Sequence, residues 1–227
     1  MDTLAARAFR FLASGKDYHR LLLDRWLPAT GIVVDVGCGL GRVTNFYDRP
    51  ARRVFGADLD RDALAAARDV AGKSFVVSNA CALPFRTGAV DAYVGLGILE
   101  LDPTGGAALL REASRVLSAT GLIYLTVPFL NRRRRGSGTA TWGGREVPAF
   151  SAESAGRLFA AAGFVVERTR PSSLAWSLGP FGRPAARLFR SVIGREDDRT
   201  PAYRVIAPLL KPYANSLLVI GRKRPAA

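Results

Sequence analysis

The sequence predicts an α/β protein built on a doubly wound, mainly parallel sheet, and three observations predict it. Short apolar runs rich in β-branched residues recur along the chain with helical stretches between them, the alternation that parallel strands with crossover helices require. The first run passes directly into a glycine loop, VVDVGCGLGR at residues 33–42, and open α/β sheets bind ligands at such strand ends. With 227 residues, 48% of them hydrophobic, the chain is long enough to bury the core of one such domain.

Taken in order, residues 4–27 read as one or two helices broken near Ser14 and Gly15, and Pro28 to Gly31 as a turn. Residues 32–36 form a strand apolar enough to be buried on both faces. Further strands are expected at 53–57, 75–77, 92–96 and 122–127, with helices at 61–71 and 106–117 between them. The longest uncharged stretch, 116–131, contains Gly121 and Pro128 and is too short to span a bilayer, so it reads as a core strand. Ser151 opens a helix with Glu153, Leu158, Phe159 and Ala162, which Gly163 stops. Strands at 164–166 and 216–220 follow. Between them, 171–212 is punctuated by Pro and Gly and reads as an insertion or lid. The expected organisation is one domain, 1–227, with an N-terminal helical cap (1–30), a cofactor-binding core (31–130) and an acceptor-side part (131–227) carrying the insertion.

Charge is unevenly shared. Residues 1–130 hold 15 Lys+Arg against 13 Asp+Glu, and residues 131–227 hold 18 against 6. Arginine bias accounts for the total of +14 more readily than for the asymmetry, which points to an anionic partner of the C-terminal part: nucleic acid, a phosphorylated metabolite or an acidic lipid surface. In RPAARLFRSVIG, Leu188, Phe189, Val192 and Ile193 cluster at helical spacing opposite Arg183, Arg187 and Arg190, the pattern of a lid or of a helix lying on an anionic membrane. The arginines at 132–135 read as a solvated loop face. Trp142, Phe150 and Trp176 read as packing residues. The N-terminus lacks a continuous apolar segment of the secretory type, so a cytoplasmic protein is expected, with peripheral membrane contact as an addition. Cys38 and Cys81 have no metal-site spacing; no metal is expected, and both read as reduced thiols.

The glycine loop narrows the ligand. A dinucleotide fingerprint would need glycine at position 42, where the chain has Arg42, and no Gly-Lys-Ser/Thr follows to make a P-loop. The pattern is Gly37, Gly39 and Gly41, preceded by Asp35 in the strand. Asp58 ends the second strand, where a carboxylate reads a ribose diol; Asn79 and Ala80 follow the third, and Leu96 and Gly97 close the fourth. An anion under the loop would repel a pyrophosphate and suits a ligand bearing an ammonium group. S-adenosylmethionine has the ammonium, the ribose and the adenine, and no phosphate.

With VVDVGCGLGR, FGADLD, SNACALPF, VDAYVGLGILELD and GGAALLREASRVLSATGLIYLTVP in order, the chain resembles the class I S-adenosylmethionine-dependent methyltransferases with the methyltransferase-11 type core, over about residues 31–129. The resemblance implies a Rossmann-like seven-stranded sheet with the last strand antiparallel. It implies that Asp35, Gly37, the backbone of Cys38 and Gly39 hold the methionine moiety, and that Gly41 allows close packing. Asp58 would bind the ribose hydroxyls with Leu59 against the adenine; Asn79 and Ala80 would read the adenine edge; Leu96 and Gly97 would line the methionine side. The chain departs from the pattern with Asn79 in place of an acid and with Glu100-Leu101 in place of Glu-His.

Methyl transfer from a sulfonium needs mainly alignment and exclusion of water, whereas an alcohol acceptor also wants a base. Candidates for that base are Tyr18 and His19, in KDYHRLL, and Glu100 and Asp102 at the mouth of the fourth strand, with Asp102 read equally as a cap on the following helix. The expected function is methylation of an oxygen on a small or lipid-linked, negatively charged biosynthetic intermediate. An RNA methyltransferase and a non-catalytic cofactor-binding partner subunit are the alternatives.

Overall fold

The computed structural model describes residue 23 and residues 25–41, 44, 47–71, 74–142, 144–173 and 201–225. The expected base candidates Tyr18 and His19, most of the N-terminal cap, and residues 174–200 of the expected insertion, including the 183–194 amphipathic stretch, lie outside the described residues.

Seven strands form one sheet: β1 (Gly31–Val36), β2 (Arg52–Asp58), β3 (Ser74–Val77), β4 (Val90–Leu96), β5 (Leu117–Pro128), β8 (Phe164–Ser172) and β9 (Ser216–Lys223). Their order is β3-β2-β1-β4-β5-β9-β8. The first five run parallel, and β9 is antiparallel to both β5 and β8. The expected doubly wound sheet with a reversed last strand is therefore the one observed. Each strand of the core extends beyond its apolar run, because ladder hydrogen bonds continue past the residues that need burial; β5 begins at Leu117 where apolarity alone marks 122.

The alternation of side chains along β1 explains why it is apolar on both faces. Val34 and Val36 pack with Leu109, Leu110, Ala113 and Val116 of α2 (Ala107–Val116) and with Phe159 of α3 (Ala152–Ala161). Val33 turns the other way, into a cluster with Leu23, Leu27, Tyr47, Tyr124 and Ile220. A third helix, α1 (Arg61–Ala71), sets Leu64 and Ala67 against Phe75 of β3.

Helix starts are fixed by side chains that accept from otherwise unpaired N–H groups. Asp60 Oδ1 accepts from the amides of Asp62 and Ala63, each at 3.0 Å. α3 opens at Ser151, as the sequence predicts, and there Ser151 and Ser154 exchange side-chain and backbone bonds in a capping box.

The sheet's carboxyl edge carries two features that periodicity does not reveal. The chain leaving β5 forms a hairpin, β6 (Thr139–Trp142) and β7 (Arg145–Pro148), and returns to the same place: Phe150 donates to the Pro128 carbonyl at 2.7 Å and Leu130 to the Phe150 carbonyl at 2.8 Å. The arginines at 132–135, expected as a solvated face, are not uniform. Arg134 donates to the carbonyls of Phe129 (3.0 Å) and Asn215 (2.9 Å) and to Asn215 Oδ1 (3.2 Å), tying the exit of β5 to the entry of β9. Burial lowers its pKa from the usual guanidinium value. Arg133 lies over the Tyr213 ring at 5.4 Å.

Of the insertion expected at 171–212, Pro171 and Ser172 belong to β8 and residues 201–213 form α4 (Pro201–Leu210) and a 3-10 turn (Lys211–Tyr213). Because Ser172 and Pro128 both pair with Ser216, everything between β8 and β9 departs from and returns to the carboxyl edge.

Candidate cofactor and acceptor site

β1 pairs with β2 on one side and β4 on the other, so the strand order reverses at β1 and the crevice opens at its carboxyl end. The glycine loop occupies that crevice. Gly37, Gly39 and Gly41 have φ of +68°, +53° and +66°, values that glycine alone takes without strain. A Cβ on Gly37 would come 2.5 Å from Ile98 Cδ1, and one on Gly41 would come 2.6 Å from the Phe75 ring; this is the close packing expected of Gly41. A Cβ on Gly39 would meet nothing within 4 Å, so this glycine faces the open side of the crevice.

Two carboxylates hold the loop. Asp58 Oδ2 accepts from the Gly39 amide at 2.7 Å while its Oδ1 accepts from Asp60 at 3.0 Å. Asp58 is half-exposed, so each oxygen keeps lone-pair capacity toward the crevice. Asp35 is 3% exposed, and its Oδ2 accepts from both the amide (3.0 Å) and the hydroxyl (2.8 Å) of Thr44. It anchors the chain leaving the loop. Sequence reasoning missed Thr44, whose only signal is a hydroxyl residue three past the last loop glycine.

Cys38 and Gly37 both donate to the Ala57 carbonyl, at 3.2 and 2.8 Å, which brings their backbone to the end of β2. Burial, then the nearby Asp35 and Asp58, push the Cys38 thiol well above its usual range, and burial raises Cys81 too. Both cysteines are free, and these shifts disfavour the thiolate that reactivity requires. Among the described residues no group of three His, Cys, Asp or Glu side chains is arranged to hold a metal.

The remaining candidates divide by strand end. Leu59 is 66% exposed beside Asp58, and Val77, paired in register with Asp58, is exposed too; together they offer an apolar shelf for a planar base. Asn79 is exposed, and its Oδ1 accepts from the Cys81 amide at 2.9 Å, so one lone pair holds the turn and one remains. Ala80 is half-buried beside it. The Leu96 side chain is buried in the core, leaving its backbone at the crevice, and the Gly97 amide donates to Thr126 Oγ1 at 2.9 Å.

Glu100 and Asp102 take different parts. Asp102 Oδ1 accepts from the Thr104 amide (2.9 Å) and hydroxyl (2.7 Å), and Oδ2 from the Leu109 amide (2.9 Å). It caps α2. Burial alone would raise its pKa, but the bonds from Leu109 and Thr104 outweigh that and hold the carboxyl below its usual value, the opposite of what a base needs. With both oxygens taken up by these bonds, Asp102 serves the helix as a cap and is not left to act as a base. Glu100 sits in a 3-10 turn (Leu99–Leu101) directly after the crevice. A Cβ on Gly97 would lie 3.4 Å from both Glu100 Oε1 and the Trp142 ring, so the hairpin and the turn converge on Gly97. Trp142, read from sequence as packing, is 47% exposed there. No sequence signal marked it, because its position depends on how the hairpin folds back.

Residues 34–125 match a family of the description Methyltransferase domain, Methyltransf_11. Over that span the core is a methyltransferase domain, of the kind found in class I S-adenosylmethionine-dependent methyltransferases. Among solved structures, a TehB-like S-adenosylmethionine-dependent methyltransferase from Corynebacterium glutamicum is 18% identical with a TM-score of 0.61, covering 96% of each chain. A chain of the complex between the Haloferax volcanii Trm112 methyltransferase activator and a methyltransferase is 19% identical with a TM-score of 0.66, over 100% of this chain and 96% of that one. Geranyl diphosphate C-methyltransferase from Streptomyces coelicolor A3(2), in complex with Mg2+, geranyl diphosphate and S-adenosyl-L-homocysteine, is 19% identical with a TM-score of 0.65, over 92% and 80%. Comparison with curated proteins returned no match. S-adenosylmethionine is the methyl donor of this methyltransferase core, and the crevice fits it: open space above Gly39, a carboxylate at the end of β2, and an apolar shelf beside it.

Proposed function

We propose that this methyltransferase methylates an oxygen of a small or lipid-linked biosynthetic intermediate, with Glu100 taking the acceptor's proton. The observation that carries the reading is the convergence of Glu100 and Trp142 on Gly97, at the methionine side of the crevice. In this reading Asp58 binds the ribose hydroxyls, Leu59 supports the adenine, and Asn79 and Ala80 meet its edge. The backbone of Gly37, Cys38, Gly39, Leu96 and Gly97 lines the methionine moiety, with Asp35 and Gly41 setting the loop's shape. Bound S-adenosylmethionine supplies a methyl group already activated by its positive sulfur. The protein's own work is then to orient the acceptor, exclude water with Trp142, and hold a carboxylate where a hydroxyl would release its proton.

The test is to incubate the protein with methyl-labelled S-adenosylmethionine and separate extracts of polar metabolites, lipids and RNA. Label in the metabolite or lipid extract, on oxygen by mass spectrometry, supports the reading. Label confined to RNA gives the nucleic-acid alternative, and binding without transfer to any extract gives the non-catalytic one. Cytoplasmic residence with peripheral contact to an anionic membrane belongs to the same proposal; among the described residues no helix is long and apolar enough to cross a membrane.

A further inference from the structure

Exposed apolar side chains are concentrated at one edge of the molecule. Among the described residues, the large exposed ones are Leu59, Val77, Leu101, Trp142, Val165, Val205 and Leu209, and all but Val165 follow or end strands at the carboxyl edge or lie in segments attached there. Leu59 and Val77 belong to the cofactor crevice. Val205 and Leu209 do not: they lie one turn apart on α4, 72% and 71% exposed, with exposed Pro208 and Pro212 continuing the stripe. The inner side of the same helix is anchored by Ala207, which is buried.

Among the described residues, the helix with this stripe and the loop against it carry one sign of charge. Lys211 is exposed in the turn that follows the helix. The Arg132 amide donates to the Pro212 carbonyl at 2.9 Å, which brings the loop after β5 against that turn, with Arg133 over Tyr213 and exposed Arg135 nearby in sequence. Neither 129–145 nor 201–225 contains an Asp or Glu. A protein partner that covered the stripe would need only apolar complementarity, and RNA would need only the cations. An anionic bilayer surface uses both, apolar side chains entering the acyl boundary and Lys/Arg meeting headgroup phosphates.

We infer that α4 and the arginine loop form a docking surface for an anionic lipid surface, which would set the sheet's carboxyl edge, and with it the acceptor side, against the membrane. The inference rests on the membrane contact included in the proposed function and gives it a surface; it does not depend on the oxygen methylation and is tested without an acceptor. Full-length protein is cosedimented with vesicles of phosphatidylcholine alone and of equal phosphatidylcholine and phosphatidylglycerol, at low and high salt. Binding to the mixed vesicles, weakened by salt and roughly tenfold lower in both Val205→Asp/Leu209→Asp and Arg132→Ser/Lys211→Ser, is expected. S-adenosylhomocysteine affinity, within about threefold of the parent protein, reports that each variant is folded. If the Asp pair fails that check, Val205→Ser/Leu209→Ser replaces it. No preference for the mixed vesicles overturns the inference. So does vesicle binding that survives the apolar substitutions, binding of an RNA oligonucleotide that depends on the basic pair alone, or a dimer that Val205→Asp dissolves.

Discussion

Asp58 is the residue on which the proposed cofactor site most directly depends. Its carboxylate already accepts from Gly39, so its removal takes away both the proposed ribose contact and the restraint on the loop. Asp58→Ala should weaken S-adenosylhomocysteine binding by about 1.5–3 kcal/mol, ten- to a hundredfold by calorimetry, without abolishing the fold. Glu100→Gln keeps the shape and removes the proton acceptor; turnover should fall by roughly a hundredfold or more while cofactor affinity stays within a fewfold. A contrasting case is Tyr93, wholly buried in β4, whose hydroxyl has no hydrogen-bond partner among the described residues. Burying an unmet hydroxyl costs about 1–3 kcal/mol, so Tyr93→Phe should leave the melting temperature unchanged or raise it.

The β6–β7 hairpin and α2 show how an element's role follows from its anchors. Trp142 rests beside Gly97, at the turn that also carries Glu100, so Trp142→Ala should impair acceptor KM and kcat together while Trp142→Phe restores most of the loss; cofactor binding should be nearly unchanged in both. α2 is held from its start by Asp102 and from its middle by Glu112, which accepts from the Leu83 amide at 2.6 Å and from Arg115 Nε at 2.8 Å. The pKa of Glu112 is lowered first by the Arg115 bond, and that of Asp102 by amide bonds that outweigh its burial. With both carboxyls depressed in the folded state, their stabilisation is present above the unfolded carboxylate values near 4 and is lost as pH falls through the folded ones. Acid unfolding monitored by circular dichroism should therefore be less steep in Asp102→Asn, which is also less stable at neutral pH.

At the scale of the whole molecule, position along the chain sorts the proposed binding functions to different sides of one edge. The proposed cofactor residues lie at the ends of β1 to β4 and on the loops after them. The basic loop, the hairpin and α4 lie on connections after β5 and β8, and about half of the charge excess of residues 131–227 lies in them. Arg134 binds these connections together across β5 and β9, so Arg134→Ala should lower stability by roughly 1–3 kcal/mol and loosen the acceptor side before the cofactor side. Hydrogen exchange comparing residues 129–150 with 31–41 would check the order.

The sequence by itself determined the sheet, the glycine loop and the acids at the strand ends. Those are local signals: a buried parallel strand must be apolar throughout, a turn at positive φ must be glycine, and a ligand-facing strand end leaves its polar residue at a fixed offset from the loop. Helix α1 was legible to the residue at 61–71, because its amphipathic period is complete within its own span. Only the tertiary structure decided which acid does what. Asp102 and Glu100 look alike in LELD, yet one is spent on the amides of α2 while the other stands beside Gly97 and Trp142. The same holds in the arginine run, where Arg134 is taken up by the carbonyls of Phe129 and Asn215 and its neighbours are not. Such distinctions depend on partners far away in the chain, and a side chain's chemistry does not record which distant carbonyl or amide the fold will bring to it.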